Sequence, residues 1–141
     1  MTYDPDNVFA KIIRGDAPAH QVYEDAWTLA FMDLMPQTDG HTLVIPKSEA
    51  VNLLDVDSEM LSRTIQTTQK IALAVKAAFG ADGVMVAQLS GAAAGQTVFH
   101  LHFHVLPRLH GADFEIHAGA GRVAPADVLA EHAERIRQAL A

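Results

Sequence analysis

"FHLHFHVLPR", residues 99–108, sets His100, His102 and His104 at alternate positions, with apolar residues between them and a Pro–Arg stop behind. In a β-strand successive side chains point to opposite faces. Phe99, Leu101, Phe103 and Val105 are therefore expected on one face, and Val98, His100, His102, His104 and Leu106 on the other. The first set reads as a core face. The second carries three imidazoles spaced roughly 6.5–7 Å apart and flanked by apolar residues, which describes the lining of a cleft. Three uses of such a face compete: a solvated sheet surface, a metal site completed by His41 or a carboxylate, and catalysis at phosphorus. In the last, one imidazole attacks a phosphoryl centre while its neighbours move protons and stabilise charge. Histidine suits that work because its pKa lies near neutrality.

Working outward, "SGAAAG" (90–95) is a small-residue loop that delivers the chain into the histidine strand, and "GVMVAQL" (83–89) before it reads as a buried strand. A helical pattern runs from Ser58, the expected N-cap, to about Phe79. Its expected apolar stripe is Leu61, Ile65, Thr68, Ile71, Leu73, Val75 and Phe79, and Gly80 stops it. "QVYEDAWTLAFMDLMP" (21–36) reads as a hairpin turning at Glu24–Asp25, with Trp27, Leu29, Phe31 and Asp33 on one side of its second strand. "HTLVIPKSEA" (41–50) adds a strand closed by Pro46, and "APADVLAEHAERIRQALA" (124–141) an amphipathic helix contacting the core through Val128, Leu129, Ile136 and Leu140. Connections this short rule out regular βαβ crossovers, so the expected fold class is α+β with an antiparallel sheet, in one domain over 1–141.

The 141 residues are half apolar, enough for one proper core. The absence of cysteine removes disulfides, thiol catalysis and every cysteine-containing zinc pattern. Seventeen acidic against ten basic residues, a net charge of -7, argue against a broad phosphate-tracking surface, so nucleic acid is not an expected partner. An anionic ligand needs a small, locally built site. No long apolar stretch suggests a leader or membrane span, and a cytoplasmic protein is the expectation.

"GQTVFHLHFHV" (95–105) resembles the signature of the histidine triad family. "DNVFAKIIRGDAPAHQVYEDAWTLAFMDLMPQTDGHTLVIPK" (6–47) is similar to the N-terminal half of its Hint-like and bacterial members, so the likeness covers roughly residues 6–108. The resemblance implies the family's α+β fold, a meandering antiparallel sheet with one long and one C-terminal helix, in a symmetric homodimer. It implies hydrolysis or transfer at the α-phosphate of a purine nucleotide conjugate through a nucleotidyl-histidine intermediate, with no obligatory metal or cofactor.

Carried over by position, the resemblance makes His102 the nucleophile, with its second ring nitrogen donating to the backbone carbonyl of His100. The side chains of His100 and His41 support the triad through hydrogen bonds. His104 and Gln96 take phosphate oxygens where negative charge builds up, and Thr97 bonds the leaving-group atom. Asp33 binds the ribose hydroxyls, while Val8, Phe9, Ile12, Phe31 and Leu34 form the apolar slot for the base. Ser90 and the backbone around Gly95 add donors to ribose or phosphate. Taken alone, the apolar residues would read as core, Asp33 as a turn former, and Gln96 and Thr97 as loop polar residues. His20, His110, His117 and His132 fall outside the motif and read as surface or structural. Leu89 and Ser90 stand where many relatives carry asparagines. A dinucleoside polyphosphate hydrolase and a nucleotide-binding or scaffold protein with vestigial catalysis are the rival functions.

Overall fold

The computed structural model describes residues 2–112 and 122–141. His117 lies outside them. The Asp25 carboxylate accepts the backbone N–H of Trp27 at 2.8 Å and of Thr28 at 2.7 Å, an Asx turn that folds β1 (Gln21–Glu24) back on β2 (Thr28–Met32). Next come β3 (Thr42–Pro46), the long helix α2 (Ser58–Ala78), β4 (Gly83–Ala87), β5 (Phe103–Arg108) and α3 (Ala126–Leu140). The sheet is antiparallel throughout in the order β1-β2-β3-β5-β4, so the α+β expectation holds, with β5 inserted between β3 and β4.

Both faces of the sheet are covered. Ala30, Met32, Val44 and Val105 pack on Ile71, Ala74 and Val75 of α2 and on Leu129, Ala133 and Ile136 of α3. Leu29, Phe31, Leu43 and Ile45 point the other way, against Phe9 and Ile12 of a short helix, α1 (Val8–Arg14). The hydrophobic pattern predicts no helix there, although the helix punctuation is present. Asn7 caps it by accepting the N–H of Ala10, and Gly15 ends it at φ 83°.

Four local expectations are corrected. The N-cap of α2 is Asp57, whose side chain accepts from Met60 N–H at 2.9 Å, and not Ser58. The buried face of α2 is built from Thr64, Thr67 and Thr68 with Ile71, Ala74 and Val75, while Ile65 and Leu73 are exposed. Threonine succeeds there because its hydroxyl is satisfied at short range. Thr64 and Thr68 donate to carbonyls one turn back, at 2.6 and 2.8 Å, and Thr67 meets Thr28 at 2.8 Å, leaving methyl groups for the sheet. Third, β4 is an edge strand and only partly buried. Fourth, the histidine strand begins at Phe103 rather than Val98. Leu101 gives its N–H to Ala50 O at 2.8 Å, outside the sheet, and buries its side chain with Ala50 and Phe103. The alternation survives inside β5: Phe103 pairs with Val44 and His104 with Leu43, so His104 stands on the α1 side.

Candidate active site

On that side a cavity of about 310 Å³ opens between α1, the sheet and the 97–104 segment. Its size is at the low end of small-molecule sites, roughly 300–1,000 Å³. Val8, Phe9, Ile12, Phe31 and Leu34 contribute its apolar lining, and Asp33, Thr97, His102 and His104 its polar lining. The fold therefore gathers nine of the residues singled out by sequence. Pro18, Met32, Met35, Leu43 and Val98 also line it. Leu43 and Val98 were findable, since strand alternation puts them on the same face as Ile45 and the triad. Nothing in the sequence marks Pro18.

The hydrogen-bond partners decide the tautomers, because a backbone N–H only donates and a carbonyl only accepts. His102 Nδ1 lies 2.7 Å from His100 O, so Nδ1 carries the hydrogen and Nε2 keeps its lone pair. His102 is 6 % exposed and lines the cavity, and the edge of Phe9 or its face meets the ring at right angles, 5.0 Å between centroids. His41 Nδ1 accepts from Gln37 N–H at 3.1 Å, which puts the hydrogen on Nε2. That N–H donates to His104 Nδ1 at 2.9 Å, leaving His104 protonated at Nε2. His102, with its lone pair on Nε2, and His104, with its hydrogen on Nε2, both line one cavity, with ring centroids 4.9 Å apart.

Burial keeps the His102 and His41 rings neutral. It pushes His102 down, and it pushes His41 down to about 3 with help from the neighbouring His104 and His102 rings. Asp33 is raised by burial, although Oδ1 accepts Met35 N–H at 2.8 Å; Oδ2 lies 3.4 Å from His41 Nε2.

Asp33, His41 and His104 have ligand-type atoms within 4.8 Å of one another, the spacing of a metal cluster. Their chemistry does not fit one. A cation on His41 Nε2 would drive the ring hydrogen to Nδ1, against the Gln37 N–H already donating there.

Other expected residues are placed elsewhere. The His100 side chain is fully buried away from the cavity, between Tyr3 Oη at 2.6 Å and Pro46 O at 2.8 Å. Gln96 is not available to a phosphate. Its Nε2 donates to Val51 O at 2.7 Å and Val98 O at 3.0 Å, and its Oε1 accepts from Gly91 N–H at 2.8 Å and Asn52 Nδ2 at 3.2 Å. Ser90 and Gly95 do not line the cavity: the Ser90 hydroxyl donates to Gln88 Oε1, and Gly95 N–H is used by Ala92 O in a 3₁₀ turn. His132 is buried edge-on to Phe79, and His110 is exposed.

The HIT domain matches residues 14–111. The chain belongs to the HIT family. A HIT-like protein of Mycobacterium tuberculosis is 46% identical over 112 residues, 79% of this chain and 78% of that one. A Hit-like protein involved in cell-cycle regulation from Bartonella henselae, crystallised with an unknown ligand, is 51% identical and superposes with a TM-score of 0.91 over 99% of both chains. Adenylylsulfatase HINT3 of Arabidopsis thaliana is 37% identical over 107 residues, covering 76% of this chain and 54% of that protein. HIT-family proteins are nucleotide-binding proteins of the hydrolase and transferase type.

Proposed function

We propose that the protein is a nucleotide phosphoramidase or nucleotidyl hydrolase that cleaves purine nucleotide conjugates at the α-phosphate through a nucleotidyl-histidine intermediate on His102. The observation that carries this reading is the imidazole tautomer: Nδ1–H is tied to His100 O, which leaves the lone pair on Nε2 of a ring that lines the cavity beside His104. Val8, Phe9, Ile12, Phe31 and Leu34 hold the base by apolar contact, and Asp33 takes the ribose hydroxyls. The His102 Nε2 lone pair attacks the α-phosphorus, a P–N bond forms, and the bond to the leaving group breaks with its electron pair going to that group. Thr97, exposed at the cavity rim, stands where it can bond the departing atom. His104 Nε2–H meets the phosphate oxygen that gains charge. The cationic His102 ring tightens its Nδ1–H bond to His100 O. Water then attacks phosphorus and gives up a proton that replaces the one the departing group took from solvent, the P–N bond returns its electrons to Nε2, and a nucleoside monophosphate leaves. No step needs a metal.

The working form is a homodimer. Ile65 and Leu73 on α2 and Val86 on the edge strand β4 are 45%, 67% and 44% exposed, apolar side chains on the long helix and the sheet edge through which two copies would pair. Sedimentation equilibrium tests this, with twice 15.2 kDa as the expected mass.

Mass spectrometry of protein quenched during turnover of an adenosine phosphoramidate tests the intermediate, with an adenylyl adduct expected on His102. His102→Asn is expected to lower turnover by at least about 10³-fold while AMP still binds. Binding of AMP with no turnover of phosphoramidate or adenylate by wild type would leave the binding-protein reading. Faster turnover of a dinucleoside polyphosphate than of the phosphoramidate would favour that hydrolase.

A further inference from the structure

We infer that Tyr3 is a positioning residue for the nucleophile: through the His100 ring it sets the carbonyl that fixes the reactive tautomer of His102. The inference rests on the function proposed above. Sheet pairing between β3 and β5 starts at Val44–Phe103, so the His100 carbonyl lies outside the ladder and no strand neighbour holds it. Two other restraints fix this segment. Leu101 N–H reaches Ala50 O at 2.8 Å, and the His100 ring is bracketed at both nitrogens.

The bracket has one consistent assignment. Pro46 O accepts only, so His100 Nε2 carries the hydrogen and Nδ1 presents a lone pair. Tyr3 must then donate its O–H to Nδ1, at the short distance of 2.6 Å. Burial supports both roles, pushing the Tyr3 hydroxyl up so that it keeps its proton and the His100 ring down to about 4 so that it stays neutral. Phe9 packs against both His100 and His102, with centroids 6.4 and 5.0 Å away, but it brings no polar atom. Tyr3 is therefore the side chain that pins the far nitrogen of His100. Without its hydroxyl, a fully buried acceptor has no donor, and the ring is free to flip or change tautomer. Either change shifts the carbonyl 2.7 Å from His102 Nδ1.

Tyr3→Phe keeps the aromatic ring and removes the hydrogen bond. The expected result is a roughly 10- to 100-fold loss of kcat on an adenosine phosphoramidate with KM changed less than about twofold, the pattern of a lost orienting contact. In ¹⁵N spectra of the ligand-free protein, wild-type His102 should be a single Nδ1–H tautomer and the variant a mixture. Folded Y3F with an unchanged His102 tautomer overturns the inference whatever its turnover. If wild type is inactive but the tautomer shifts in Y3F, the proposed function fails and the positioning role stands. If Y3F does not fold, wild type decides alone: His100 as the Nε2–H tautomer supports the assignment, and as the Nδ1–H tautomer it overturns it.

Discussion

Gln96 shows how one residue can be placed correctly in a motif and still serve a different purpose. Its position beside the triad makes a phosphate contact the natural reading, yet all four of its hydrogen bonds are internal and its side chain is 3 % exposed. It ties the Gly91 turn to Asn52 and Val51 and so holds the loop that leads into the triad. Gln96→Ala leaves several buried groups without partners and is expected to lower unfolding free energy by about 3 kcal/mol. Because Gln96 does not line the cavity, KM of the folded variant should stay within about twofold of wild type. Urea denaturation and steady-state kinetics at low temperature check the two halves. A large rise in KM with unchanged stability would return Gln96 to the phosphate. His41 carries the same lesson in reverse. Nothing in its neighbours "DGHTLVIP" shows that the Gln37 backbone N–H sets its tautomer and thereby that of His104.

Most elements were legible from local signals. The hairpin, β3, α2 and the C-terminal helix all stand within a few residues of the expected positions. The errors over burial and pairing share a cause, since both are settled by neighbours distant in sequence, whereas Asn7 and Gly15 around α1 and Asp57 before α2 are local signals. The hydrophobic period on α2 misassigned Ile65 and Leu73 because threonines, satisfied by their own helix, could take the buried face. The perfect alternation of residues 98–106 extended the strand backward past Phe103, although His100 bonds to Tyr3 and Pro46 and Leu101 to Ala50 instead. The turn before β3 depends on Gly40, whose φ is 84° and where a Cβ would stand 2.6 Å from the Phe79 ring. Gly40→Ala is expected to destabilise by about 1–2 kcal/mol from the backbone conformation alone. Thermal unfolding should show a clear fall in Tm, and an unchanged Tm would mean that the turn relaxes without strain.

At the scale of the whole molecule, two neutral histidines in a buried site couple folding to pH. His100 is pushed down to about 4 from 6.5, and His41 to about 3, chiefly by burial. The unfolded chain takes up protons below about pH 6.5 that the folded rings refuse. Stability is therefore full above about pH 6.5 and falls progressively as the pH drops through the folded values. His100 alone accounts for about 3 kcal/mol across that window. Denaturation midpoints measured from pH 7.5 to 4 in wild type and His100→Gln check this, the variant showing the shallower slope. A wild-type midpoint that stays flat to pH 4.5 would mean that these rings accept protons in the folded state.

Local chemistry in the sequence determined which residues were candidates: alternation grouped the histidines, and turn and cap residues divided the chain into its strands and helices. Only the tertiary structure decided what each candidate does. A polar side chain's role depends on whether its atoms already have partners, and those partners come from far along the chain. Tyr3 meets His100, Gln96 meets Val51, and His41 meets His104. The tautomers of His102 and His104, both of which line the cavity, are set by backbone groups whose positions exist only once the sheet and its flanking segments have folded together.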